Sequence, residues 1–224
     1  MKKNNFSKYR SIVFDCDGVI LDSNKIKTDA FRFVLRDEPD NTVDKFIKYH
    51  KSEGGISRYV KFKYYLEYFK KDKNSLLSVD KYTSEYSERV KEQLMECSLI
   101  PGVTEFLKKI NDIKIPCAVN SGGDQEEIRE VFRKRKLDHF FIDILGSPST
   151  KTENLNYLSQ NSILSNPSLF IGDALSDYLA AQSHNMDFVY LSGHSDWNDG
   201  TDFCIKHNID YFNDFTDLIG QSII

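Results

Sequence analysis

Histidine and cysteine are scarce in the 224-residue chain, five and four respectively, and neither is arranged to hold a metal. Cys16, Cys97, Cys117 and Cys204 form no C-x-x-C pair, and the histidines form no H-x-H or H-x-x-x-H pair. This argues against a histidine-based zinc site, and the cysteines read as reduced thiols of a cytoplasmic protein. No run of about 18 apolar residues exists to span a membrane, and no long apolar stretch follows the basic start MKKNNFSKYR as a secretory signal would require. A basic excess is also missing: the formal net charge is −4, which argues against nucleic acid as the main partner. Internal repeats and low-complexity tracts are absent. The 40% apolar and 13% aromatic content is enough for a real core.

Four short apolar runs read as buried strands: SIVFD (11–15), IPCAVN (115–120), SLFIGD (168–173) and DFVYLS (187–192). FFIDIL (140–145) and IDYF (209–212) are weaker candidates. Helical patterns lie between them. VTEFLKKI (103–110) sets Val103, Phe106, Leu107 and Ile110 on one face. EEIREVFRKRKL (126–137) groups Ile128, Val131 and Phe132, with acids first and bases last as the helix dipole favours. Strands alternating with helices imply an α/β protein whose parallel sheet is covered on both faces and binds ligands at the carboxyl ends of its strands. The alternation lapses over 23–97, where the patterns are helical. RYVKFKYYLEYFKK (58–71) aligns Tyr59, Phe62, Leu66 and Phe69 for helix–helix packing. This predicts a helical insert, 23–97, in a sheet domain made of 1–22 and 98–224, with Pro101-Gly102 at re-entry.

Three of the clear strands end in polar residues suited to one reaction. The first ends Asp15-Cys16-Asp17-Gly18, the second Asn120-Ser121-Gly122-Gly123, and the third Gly172-Asp173-Ala174-Leu175-Ser176-Asp177. Lys151 lies between the latter two and is the only lysine between 137 and 205. Phosphoryl transfer needs these groups. A carboxylate attacks phosphorus to give an aspartyl-phosphate. Mg²⁺, which prefers a few carboxylates plus waters, neutralises charge between nucleophile and phosphate; Asp15 and Asp173 are placed to share it. A second acid, Asp17, protonates the leaving oxygen and later deprotonates water. The Ser121 hydroxyl, the Gly122 N–H and the Lys151 charge serve the phosphate oxygens. Taken singly, each feature is ordinary: a loop, a helix cap, a surface lysine. D-x-D-G does not fit a calcium loop, because its glycine comes too early and an apolar strand precedes it. The cation would relieve the repulsion within the Asp15/Asp17 pair and lower the pKa of Asp15, leaving Asp17 to titrate at a useful pH.

In this order the motifs resemble the haloacid dehalogenase superfamily, specifically its phosphatase-type members with a helical cap inserted after the first strand, and the resemblance covers roughly 9–192. FDCDGVILDS is similar to the first motif, VNSGG to the second, the lysine of GSPSTKTENL to the third and IGDALSD to the fourth. The resemblance implies a Rossmann-like core with an inserted α-helical cap domain. It implies Asp15 as nucleophile and Asp17 as acid/base, with Asp17 giving its backbone carbonyl to Mg²⁺. It also implies Ser121 and Lys151 on phosphate, Asp173 on the metal, and Asp177 either at the metal or paired with Lys151. Thr152 stands where the family usually has proline. The superfamily's dehalogenases lack an acid at the second position, so Asp17 favours phosphoryl chemistry.

The cap is expected to select the substrate. Residues 41–73 hold nine Lys/Arg against four Asp/Glu, either a solvated face or an attraction for an anionic substrate. GGISRYVKF (54–62) resembles the cap loop that reaches over the active site in β-phosphoglucomutase-like members. This makes Arg58 the first cap candidate, followed by Ser57 and Lys61; Lys27 is placed to face the cleft. The expected function is Mg²⁺-dependent hydrolysis of a small phosphorylated metabolite. A sugar, polyol or amino-alcohol phosphate is favoured, because the opening stretch and GGISR also resemble members from surface-polysaccharide assembly. The expected state is a monomer or weak homodimer. A sugar-phosphate mutase is the alternative, although the mutases this loop resembles carry histidine near position 27, where this chain has lysine. A non-catalytic phospho-ligand module is the alternative of another class, and it has no need of Asp17.

Overall fold

A computed structural model describes residues 4–71 and 75–223. The chain runs β1 (Asn4–Asn5), β2 (Ser11–Phe14), α1 (Asn24–Val34), α2 (Asp40–Ser52), α3 (Arg58–Tyr64), α4 (Ser75–Glu96), α5 (Val103–Asp112), β3 (Cys117–Asp124) and α6 (Gln125–Lys134). It continues through β4 (Asp143–Ser147), α7 (Lys151–Gln160), β5 (Ser168–Gly172), α8 (Leu175–Ser183), β6 (Asp187–Leu191), α9 (Gly200–His207), β7 (Asp210–Phe212), α10 (Phe215–Gly220) and β8 (Ser222–Ile223). Six strands form one parallel sheet in the order β4-β3-β2-β5-β6-β7, and β1 pairs with β8 in a separate two-stranded ribbon. Among the described residues no helix is long and apolar enough to cross a membrane.

The two faces of the sheet follow the period-two alternation of its strands. Ile12 and Phe14 of β2 pack with α5, α6 and α10 through Phe106, Phe132 and Phe215. Val13, between them, packs on the other side with Leu155 of α7, Ala180 of α8 and Cys204 of α9. All four residues of β2 are buried, so the strand reads as an unbroken apolar run, as a central strand covered on both faces does.

All six expected strands form, with two changes of extent. The weak run at 140–145 becomes strand only from Asp143, where pairing with Ala118 begins; Phe141 instead turns inward against Phe14 and Phe132. Ser121-Gly122-Gly123, expected as a loop, continues β3 to Asp124 across a register shift. The insert is helical from α1 to α4. Its aromatic interior, with Phe31, Phe46, Phe62 and Tyr86, is continuous with the core on the α5/α6 side of the sheet. The expected single helix over 58–71 turns π-helical at Tyr65–Lys70. The wider turn shifts the later part of the stripe, so that Tyr65 joins Phe62 and Leu66 inside; Tyr59, upstream of that turn, is only partly buried. Asp72 and Lys73 of the basic 41–73 stretch, and Met1 to Lys3 of the basic start, lie outside the described residues.

Candidate active site

β2 and β5 are neighbours in register, Phe14 beside Ile171. Their carboxyl ends therefore deliver Asp15 and Asp173 to the same place. The Asp15 N–H still donates to the Ile171 carbonyl (2.9 Å), which fixes its backbone to the sheet. Lys151, the first residue of α7, donates from Nζ to Asp15 Oδ1 (2.8 Å) and to Asp177 Oδ1. Asp177, in the first turn of α8, accepts from the backbone N–H groups of Asp173 (3.1 Å) and Ala174 (3.0 Å) through its other oxygen. Of the two roles left open for Asp177, pairing with Lys151 is formed. Gly18 follows the Asp15/Asp17 pair with φ +75°, and a Cβ there would lie 2.2 Å from Asp173 Oδ2; only glycine allows both the turn and the approach.

Asp17 has different partners. Ser23 Oγ donates to its Oδ1 (2.5 Å), and Lys27 Nζ, one turn into α1, pairs with its Oδ2. Burial alone would raise its pKa, but Lys27 and the Ser23 hydroxyl together hold the carboxyl below its usual range. The expected lowering of Asp15 belongs to a bound cation; the protein's own groups act on it in the other direction. Asp15 is pushed up to about 7 by burial, against the pull of Lys151 and with a push from Asp177 and Asp17. Asp173 is raised well above its ordinary value by burial and by Asp15 and Asp177.

The acids fit a cation on the evidence of their own surroundings. Ligand atoms of Asp15, Asp173 and Asp177 lie within 4.8 Å of one another, all buried, and among the described residues Lys151 is the one cation hydrogen-bonded into the cluster. Three buried carboxylates with one ammonium are short of positive charge. A divalent ion bound by hard oxygen ligands would supply it.

The GGISR loop lies directly on this site. Ser176 Oγ donates to the Gly54 carbonyl (2.8 Å), and the Gly55 carbonyl packs so close to Gly122 that a Cβ there would lie 2.1 Å from its oxygen. Ser57 caps α3, its hydroxyl accepting from the Val60 N–H. Arg58 is turned away from any free anion: its guanidinium donates to both oxygens of Glu127 (2.6 and 3.1 Å) and to Ser87 (2.8 Å), and stacks over Tyr86. The Tyr59 hydroxyl donates to Asp124 (2.9 Å), the residue that caps α6. Lys61 is buried against His50, donating to Nδ1 (2.8 Å) and to the backbone carbonyl (3.1 Å).

One cavity, with about 60 Å³ of interior room, joins these parts. At ~10–15 Å³ per water it holds a few waters or a small anion. Asp15, Asp17, Lys27, Gly122 and Asp173 line it together with Arg58 and Lys61. Ser121 is fully buried behind it, its Oγ accepting from the Gly123 N–H (3.0 Å). Lys151 and Asp177 stand behind Asp15. Sequence reasoning missed Asn24, whose amide donates to Asp173 Oδ2 (2.8 Å) and to the His194 carbonyl (2.8 Å). It also missed Glu127, Asp124, His50 and Ser176. Only Ser176, inside the fourth motif, carried a local signal; the others become visible when distant helices meet.

A family model described as haloacid dehalogenase-like hydrolase matches residues 12–191. No protein of curated function matches the chain. Among solved structures, the chain is similar to a predicted phosphoglycolate phosphatase from Haemophilus somnus (19% identity, covering 96% of this chain and 98% of that one, TM-score 0.73). It is similar to a hydrolase from Pseudomonas syringae (19%, 94% and 96%, 0.73) and to β-phosphoglucomutase from Clostridium difficile (21%, 92% and 92%, 0.72). At these identities the structures establish the shared fold. The match over residues 12–191 places the chain among the haloacid dehalogenase-like hydrolases.

Proposed function

We propose that this hydrolase is a Mg²⁺-dependent phosphomonoesterase acting on a small phosphorylated metabolite through an aspartyl-phosphate on Asp15. The buried grouping of Asp15, Asp173, Asp177 and Lys151 next to a separately held Asp17 supports this most strongly. Residues 1–22 and 98–224 act as the catalytic core and 23–97 as its cap. The small cavity favours a metabolite over a polymer, and a sugar, polyol or amino-alcohol phosphate fits the expectation from the motifs. Four free cysteines suit a reducing, cytoplasmic setting.

Asp15 and Asp173, with the Asp17 backbone carbonyl, would hold Mg²⁺, and Asp177 stands next to them. The bound ion would neutralise charge between the nucleophile and the phosphate oxygens. In the first step an Asp15 oxygen forms a bond to phosphorus as the ester P–O bond breaks, and Asp17 gives its proton to the departing alcohol oxygen. In the second, water attacks phosphorus, Asp17 takes a proton from it, and the Asp15 carboxylate leaves with release of inorganic phosphate. Lys151 holds Asp15 in place; Ser121 and the Gly122 N–H serve the phosphate oxygens. The Lys27–Asp17 pair favours the base form of Asp17 that the second step uses, so the proton given in the first step comes from its minor, protonated form.

Phosphate release from an aryl phosphate tests the proposal. It should require Mg²⁺ and disappear in Asp15→Asn while the fold is retained; unchanged turnover in that variant would refute the assignment. With hexose 1-phosphates, formation of an isomer without free phosphate would instead establish the mutase alternative.

A further inference from the structure

Four cationic side chains on the cavity wall differ sharply in their partners. Lys27 is paired with Asp17, Lys51 with Asp196 and Arg58 with Glu127. Lys61 also lines the cavity, is 2% exposed, and forms no ion pair among the described residues. A lysine ammonium has three N–H donors. Two are spent on His50, one on ring Nδ1 and one on the carbonyl. The third has no acceptor among the described residues. His50 is itself fixed, since its Nε2 meets the Thr28 hydroxyl at 3.1 Å. With Nδ1 accepting from Lys61, the neutral ring donates from Nε2 to Thr28, and burial with nearby Lys61 disfavours its charged form. The ammonium is thus held from behind by a built support, in a cavity where every other wall cation is already neutralised. A buried charge left this way is costly, so burial pushes the amine's pKa down, and an anion set against it would favour the charged form.

We propose that Lys61, held by His50 and Thr28, binds a second anionic group on the substrate, a carboxylate or a further phosphate carried by the alcohol portion, and so selects small phosphomonoesters bearing two negative groups. This rests on the phosphomonoesterase reading and refines its substrate class. It assigns separate tasks to two neighbouring cations of α3. Arg58, committed to Glu127, ties the helix to α6; Lys61, with no acid partner, addresses the ligand. The transferring phosphate and the second anion would occupy opposite ends of a short molecule, between the Asp15 cluster and the helical segment.

The test is equilibrium binding by calorimetry, with MgCl₂ present, of three non-hydrolysable probes. Beside its phosphonate, phosphonoacetate carries a carboxylate, 1,2-ethylenediphosphonate a second phosphonate, and ethylphosphonate no further anion. The wild-type chain should bind one of the first two about tenfold or more tighter than ethylphosphonate, the range a charge-assisted hydrogen bond gives. The preferred probe identifies the anion. Lys61→Met should abolish the preference with little effect on ethylphosphonate, and Lys61→Arg should restore part of it. Melting curves check the fold of each variant, and Lys61→Gln replaces the Met variant if that one does not fold. Equal affinities for the three probes in the wild type, or a preference that survives in Lys61→Met, would overturn the inference. Failure to bind any probe while aryl phosphate is still hydrolysed would also overturn it, leaving the phosphomonoesterase reading standing. A preserved preference without hydrolysis of any ester would refute that reading and leave the anion site.

Discussion

Arg58 of α3 and Glu127 of α6 form a buried two-pronged ion pair, with N···O distances of 2.6 and 3.1 Å and only 4% of Arg58 exposed. It joins the helical segment inserted after β2 to the helix that follows β3, next to the Tyr59–Asp124 hydrogen bond. Removing one partner leaves the other charge buried and unpaired, at a cost of about 3–5 kcal/mol. Arg58→Ala should therefore lower stability by an amount of that order and reduce turnover of all substrates alike. Urea unfolding and a substrate panel check this. A loss confined to KM for one substrate would show Arg58 to be a substrate ligand.

Gly122→Ala should leave the sheet intact and impair turnover. Its Cβ would lie 2.1 Å from the Gly55 carbonyl oxygen, so the 54–56 loop would be pushed off the site. The expected result is a near-normal melting temperature with kcat/KM reduced at least tenfold; full activity would show that the loop's contact with Gly122 is dispensable.

Asp15 and Asp173 give the metal-free protein a pH signature. Both carboxyls have folded pKa values raised by burial and by neighbouring carboxylates, Asp15 to about 7. The folded state thus keeps protons that the unfolded chain loses near pH 4. Stability from these groups is full below that pH and falls as pH rises toward 7. Mg²⁺ binds the deprotonated acids, so the rise in melting temperature on adding MgCl₂ should grow from pH 5 to pH 8. A shift independent of pH would contradict it.

Lys61 predicts the opposite slope. Burial lowers its pKa to about 7, so between about 7 and the ordinary lysine value near 10.4 the unfolded chain binds the extra proton. Stability from this group rises with pH across that window, by at most about 1.4 kcal/mol per unit. Lys61→Met should remove that rise, measured as the difference between variant and wild type in urea unfolding at pH 7 and pH 9. An unchanged difference would show Lys61 to be solvated.

The strands and the acids at their ends were legible because both signals are local. A buried parallel strand must be apolar, and a polar residue just past it must stand at the sheet's carboxyl edge. Asp15 and Asp173 met on those grounds, through the β2–β5 register, and Lys151 reaches Asp15 from the start of α7. The stripe over 58–71 did not show Tyr65 because a π-helical turn over 65–70 changes the period and leaves no clear mark in the residue pattern; Tyr59, upstream of it, is partly buried and reaches Asp124. Arg58 was legible as a cation near the site but not as the partner of Glu127, which lies 69 positions away. Asn24 and His50 acquire their contacts only when α1 and α2 fold over the sheet. Asp17's lowered pKa depends on Lys27 in the same way: the lysine's position was readable, its ion pair was not.

The central claim is that Asp15 carries the phosphoryl group. Acid-quenched wild-type protein, mixed with MgCl₂ and an excess of a hydrolysed phosphomonoester, should show by mass spectrometry a phosphoryl group on the peptide containing Asp15. With an aryl phosphate, whose leaving group needs little protonation, Asp17→Asn should accumulate more of it, because breakdown needs the base, and Asp15→Asn should show none. Turnover in the wild type with no such adduct in either wild type or Asp17→Asn, or an adduct persisting in Asp15→Asn, would contradict the account.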